Sequence, residues 1–203
     1  MLSRKLIQKA KAILEKERGT VRKPWGGRIS ICLLYPNSYH VGMSNLGFQT
    51  VYQRLNSEDD VVCERAFLPD PEDLQDCRRT QTPLLSLETQ KPLSDFDLLA
   101  FSISFENDFL NILTLLDLAR IPLERALRGE IDPLVMAEGV AVFLNPEPVS
   151  EFFDLFVLGE AEEVIGEFLE VYRHSGREDL LRRLAGVEGI YVPEFYHVTY
   201  GED

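Results

Sequence analysis

The chain has 203 residues, 45% hydrophobic and 27% charged, so it can bury a substantial core, and disorder over most of its length is excluded. Acidic residues outnumber basic ones 34 to 21, and the resulting charge of −13 repels phosphate backbones and argues against a nucleic-acid partner. The sequence shows no apolar run of ~18 residues and no signal-peptide pattern, which predicts a cytoplasmic protein that neither spans a membrane nor is exported.

Residues 2–17 alternate apolar and basic positions. Leu2, Leu6, Ala10, Ile13 and Leu14 fall on one face at helical spacing, with Gly19 as the stop. The basic side chains from Arg4 to Lys23 are read as the solvated face of this helix. A connecting loop, 20–27, carries Trp25, expected to plug an edge of the core. Residues 28–35 form an unbroken apolar run, as in a strand buried on both faces of a parallel sheet. Pro36 stops it. A helix over 44–55, a strand over 61–66, a short acidic helix over 71–77 and an extended piece over 84–89 follow. The second half repeats the rhythm with strands at 97–104, 134–138 and 155–158 and helices at 108–119 and 162–172. A β-like stretch at 189–192 precedes a polar tail.

Strands alternating with helices of ~10 to 15 residues imply βαβ units. The expected fold is α/β and doubly wound, a mainly parallel five-stranded sheet of the Rossmann-like or flavodoxin-like kind, with an extra N-terminal helix. Its parts are a basic helix and loop (1–24), the α/β domain (25–192) and a linker (193–203). Cys32, Cys63 and Cys77 match no CxxC metal pattern, and their odd number argues against a disulfide framework. Cys32 reads as a small buried hydrophobe.

In such a sheet ligands sit beyond the carboxyl ends of the strands, so the loops there are the candidate site. The first runs from Pro36 through Asn37, Ser38, His40, Gly42 and Ser44 to Gly47, with Ser44 or Asn45 as helix cap. It lacks the pattern of a nucleotide phosphate cradle. The second runs from Ser102 to Asp108, where Asn107 or Asp108 would cap the next helix. The third holds Glu138, Gly139 and the rigid Asn145-Pro146-Glu147-Pro148 turn. The fourth is Gly159-Glu160, whose acidic followers suit a helix start.

The Asn145–Pro148 turn followed by residues 152–163 (FFDLFVLGEAEE) resembles the end of the cobalamin-binding-like domain that precedes radical S-adenosylmethionine (SAM) domains. Tyr35-Pro36-Asn37 and Val41-Gly42-Met43-Ser44-Asn45-Leu46-Gly47 narrow the resemblance to a bacterial family of uncharacterised radical SAM proteins. It covers about residues 20 to 200.

The resemblance implies that a catalytic barrel follows, holding an iron–sulfur cluster on a CxxxCxxC motif and cleaving S-adenosylmethionine. That motif is absent here, so the chain is expected to be a fragment with its own C-terminal radical SAM domain as partner. The resemblance also implies a cobalamin site at Ser38, His40, Gly42, Ser44, Ser102, Ser104, Gly139 and Glu160. Ser38 stands where cobalamin domains carry the Asp of DxHxxG, and Gly42 falls one position early. Ser102 and Ser104 match an expected hydroxyl pair, whereas Glu138-Gly139 half matches a Gly-Gly. Two readings follow. A degenerate module for packing or for substrate or partner recognition is favoured by the altered motif and Glu138. The alternative is a functional corrinoid carrier.

Overall fold

The computed structural model describes residues 2–197 and Thr199. The tail expected as linker therefore lies partly outside the described residues, at 198 and 200–203. The chain begins with α1 (Arg4–Leu14), whose Ser3 cap accepts a hydrogen bond from the Leu6 amide. Then come β1 (Ile29–Tyr35), the short α2 (Tyr39–Met43), α3 (Leu46–Ser57), β2 (Val61–Phe67) and α4 (Pro71–Thr80). The second half holds β3 (Leu98–Ser102), α5 (Phe109–Ala119), β4 (Leu134–Glu138) and α6 (Val140–Leu144). It ends with β5 (Leu155–Val157), α7 (Ala161–Arg173), α8 (Arg177–Leu184) and β6 (Ile190–Tyr191).

The strands form one sheet in the order β2-β1-β3-β4-β5-β6. All pairings from β2 to β5 are parallel, and β6 closes the far edge antiparallel to β5. The doubly wound, mainly parallel α/β fold is as expected from the sequence, but the strand count is six rather than five. The extra strand is the β-like tail stretch. Gly189 turns the chain at φ +84°, and its carbonyl accepts from the Leu158 amide at 2.7 Å.

Successive side chains of a strand point to opposite faces, and both faces of β1 are covered. Ile31, Leu33 and Tyr35 join a core layer with α3, α7 and α8. Cys32 and Leu34 join the other, with α4, α5 and α6. That is why residues 28–35 read as unbroken apolar sequence. Three short helices, α2, α6 and α8, were not legible in the periodicity. The first two have only five residues each, too few to show a repeat.

β2 is an edge strand, and residues 82–92 run along it as a strap. The Leu87 amide donates to the Arg65 carbonyl at 2.7 Å, and the Glu88 carboxylate accepts from the Arg65 amide at 2.7 Å. The strap turns through Gln90 at φ +55° and closes with a bridge between Leu85 and Pro92. Trp25 packs edge-on against Phe96 at 4.6 Å and donates its indole N–H to Glu64, so it plugs the core edge as expected. All three cysteines are buried and free, and no described helix is long and apolar enough to cross a membrane.

Candidate functional site

The strand order reverses direction between β1 and β3, and the switch point of an open α/β sheet is where its crevice opens. Two loops flank it, 36–45 after β1 and 103–108 after β3. Side chains bridge them. Asn37 Nδ2 donates to Asp108 Oδ1 at 2.8 Å, and Asn111 Nδ2 donates to the Pro36 carbonyl at 2.9 Å. Asn45 caps α3 by accepting from the Phe48 amide at 2.9 Å, while its Nδ2 reaches Ser104 Oγ at 3.0 Å. Asp108 stands at the head of α5 yet makes no capping bond, because its carboxyl turns inward to the two asparagines. Its second oxygen, Oδ2, is buried and has no hydrogen-bond partner among the described residues. Burial pushes the Asp108 carboxyl above the usual aspartate range, against the pull of the Asn37 and Asn111 donors.

On the β4 side, Gly139 has φ +109° and a Cβ there would lie 2.5 Å from the Ile103 carbonyl oxygen and 2.9 Å from its nitrogen. The Ile103 amide donates to the Glu138 carbonyl at 2.8 Å, and the Ile103 carbonyl accepts from the Ala141 amide at 3.2 Å. Backbone fills the space above Gly139. The segments that follow these strands expose apolar side chains: Val41 in α2 and Leu46 at the head of α3, Phe105 and Leu110 after β3, and Val140, Phe143 and Leu144 in α6. Leu46 and Leu110 are 77% and 76% exposed, far more than a helix-start leucine needs to be.

A second polar cluster sits under α2. The Arg65 guanidinium donates to Glu88 Oε1 at 2.6 Å and to Glu17 Oε2 at 2.6 Å, and lies 4.5 Å from the Tyr52 ring centroid. Burial works to raise the Glu17 carboxyl, but hydrogen bonds from Arg65, Thr20 and Tyr39 outweigh it and hold Glu17 low. Glu88 is more deeply enclosed, so burial wins over Arg65 and raises it. The Tyr39 hydroxyl, donating to Glu17 at 2.7 Å, is pushed up to about 12 by burial and by that carboxylate.

The family model described as the N-terminal part of radical SAM proteins matches residues 47–193. The chain belongs to this family. An uncharacterised protein of Methanocaldococcus jannaschii is 23% identical to the domain over 133 residues, 66% of this chain and 24% of that protein. The radical SAM N-terminal domain therefore spans about a quarter of the length of this curated relative. No solved structure matches it.

Because β1, β3, β4 and β5 are parallel, the loops that follow them in the radical SAM N-terminal domain share one end of the sheet. The residues singled out from sequence fall at several points of that end. Ser38 and His40 line a cavity between α1 and the end of β2, which touches neither Ser102, Ser104, Gly139 nor Glu160. Gly42 is buried in α2, where a Cβ would meet the Phe67 ring at 2.6 Å and Tyr35 Cβ at 3.0 Å. Ser44 is exposed and donates to the His40 carbonyl at 2.7 Å. Ser104 is tied to Asn45, Ser102 is buried in β3 opposite Glu138, and Glu160 is exposed at the head of α7. Sequence reasoning placed Asn37 in the first loop without a role of its own, and missed Asn111 and the Arg65 cluster. An Arg directly after a Glu inside an otherwise apolar strand was the one available signal.

Proposed function

We propose that this domain is a packing and docking module that binds no corrinoid and seats the radical SAM part of its protein on the carboxyl edge of its sheet. The observation that carries the reading is the state of that edge: laced shut by its own side chains and ringed by exposed apolar residues. A corrinoid with its nucleotide tail needs bare backbone and an open slot between strands. Here the Ile103 backbone occupies the space above Gly139, and the Asn37–Asp108 and Asn45–Ser104 bonds span the switch point. His40, one of the residues of the expected cobalamin site, lies on the wall of the cavity under α1. The apolar ring is what a domain interface uncovers when one partner is taken away.

Two measurements test this. Hydroxocobalamin titrated into the protein should leave the visible spectrum of the free cofactor unchanged, and a saturable shift lost in His40→Ala would restore the carrier reading. The remainder of the protein, expressed separately, should be retained on the immobilised domain and released by Leu46→Glu with Leu110→Glu. Retention unaffected by both substitutions would overturn the docking edge.

A further inference from the structure

A cavity of about 670 Å³ lies away from the switch point, between α1 and the end of β2, α4 and the strap. That volume is in the range of small-molecule sites. Its floor is apolar, formed by Ala66, Leu68, Cys77, Leu84 and Leu87. Its roof is α1, which turns Leu6, Ala10 and Ile13 toward it at helical spacing. These three are only half-buried: Leu6 packs in part against the core layer of α4 and α5, and the apolar face of α1 otherwise lines the cavity.

The charges around the cavity are not symmetric. At one end Lys9 bridges α1 to α4 by pairing with both Asp70 and Asp73, and Lys5 lies 3.9 Å from Asp73, so two lysines offset the two acids lining the cavity. At the other end the Tyr39 hydroxyl holds Glu17 at 2.7 Å and draws the end of α1 against the β1–α2 loop. Lys16 and His40, each one residue from that bond, line the cavity there. Among the described residues neither side chain has a hydrogen-bond or ion-pair partner, and the half-buried Ser38 lines the cavity beside them. This is local complementarity to an anion within a chain whose net charge is −13. Eight of its 21 basic residues fall in the first 24 positions.

We infer that the cavity beneath α1 binds a small amphiphile, an apolar body with a single anionic head group, the head against Lys16, Ser38 and His40 and the body along Ala10, Leu68 and Leu84. The inference is independent of whether the carboxyl edge docks a radical SAM domain.

The probe is sodium decanoate, titrated calorimetrically into the protein below its micelle-forming concentration, with decanol and decyltrimethylammonium as uncharged and cationic counterparts. Decanoate should bind one to one, and the cationic amphiphile should bind at least about tenfold more weakly, the effect of one lost charge-assisted contact. Ala10→Trp, which fills the cavity, should abolish binding. The surface double variant Lys16→Glu, His40→Gln, which leaves the packing intact, should weaken decanoate about tenfold and leave decanol unchanged. The inference fails if decanoate does not bind, if the cationic amphiphile binds as tightly, or if Ala10→Trp, folded by circular dichroism, still binds. A membrane source is separated by vesicle flotation: protein that floats with phosphatidylglycerol vesicles and ignores monomeric decanoate would also overturn it.

Discussion

Replacing Gly139 by alanine tests whether this glycine serves chain packing or an approaching ligand. Two costs add there. The backbone sits at φ +109°, ψ 169°, a region that L-residues scarcely enter, costing about 1–3 kcal/mol. The new Cβ would also stand 2.5 Å from the Ile103 carbonyl oxygen, which is backbone and cannot swing aside. Relief requires moving Ile103, whose amide and carbonyl make the hydrogen bonds to Glu138 and Ala141, each contributing about 1 kcal/mol. The sum is about 3–5 kcal/mol, a large share of the roughly 5–15 kcal/mol that holds a domain together. Urea unfolding followed by far-ultraviolet circular dichroism measures it. Two comparisons separate the terms. Gly159→Ala, at φ +134° with no atom within 4 Å of the new Cβ, carries strain alone. Gly42→Ala carries a clash alone, with the Phe67 ring and Tyr35 Cβ. If Gly139→Ala costs no more than Gly159→Ala, the contact with Ile103 is not a constraint and the packing reading of this loop is wrong.

Asp108 gives a pH prediction. Its carboxyl is raised in the folded state, so its contribution to stability is fully present below the unfolded value of about 4 and is lost as pH climbs through the folded value. Asp108→Asn should therefore be more stable than the parent at pH 7 and indistinguishable from it near pH 4 in paired thermal melts; equal effects at both pH values would contradict it. Arg65→Met leaves Glu88, whose side chain is fully buried, without its cation and should cost about 3–5 kcal/mol in urea unfolding. Changing Glu88→Gln at the same time should recover part of that loss. Asn45→Ala removes a helix cap and the tie to Ser104, and should cost about 1–2 kcal/mol on the same measurement.

Most of the fold was legible in the sequence because the strands are buried on both faces. An unbroken apolar run such as 31–35 has few other places to go, and the helices between strands were long enough to show their period. Burial and βαβ alternation together specified a parallel sheet. The candidate site was less legible. Position in a loop after a strand correctly placed Ser38, Ser104, Gly139 and Glu160 at one end of the sheet, but that is a statement about backbone. Which way each side chain turns depends on partners distant in sequence. Asp108 would cap α5 if left to local preference, and it turns inward because Asn37 and Asn111 meet it there. Gly139 looked like room for a ligand, and the room is taken by Ile103, the first residue past the end of the neighbouring strand. His40 faces a cavity whose roof is α1, some thirty positions earlier in the chain.

The strap along β2 bears on how the chain folds as it is synthesised. A seven-residue outer strand with free amides and carbonyls is a template for pairing with another molecule. Residues 82–92 come next in the chain after α4, before β3, so the segment that shields β2 is available before the sheet is complete. The far border is guarded differently, by a strand of only two residues with Pro193, which offers no amide, two positions beyond it. Neither border of the sheet presents a long free ladder. Breaking the strap by a proline at Leu87, whose amide makes the bond to Arg65, would remove that protection on one side only. Self-association through β2 would then appear as soon as the chain is concentrated, even where the core itself remains intact.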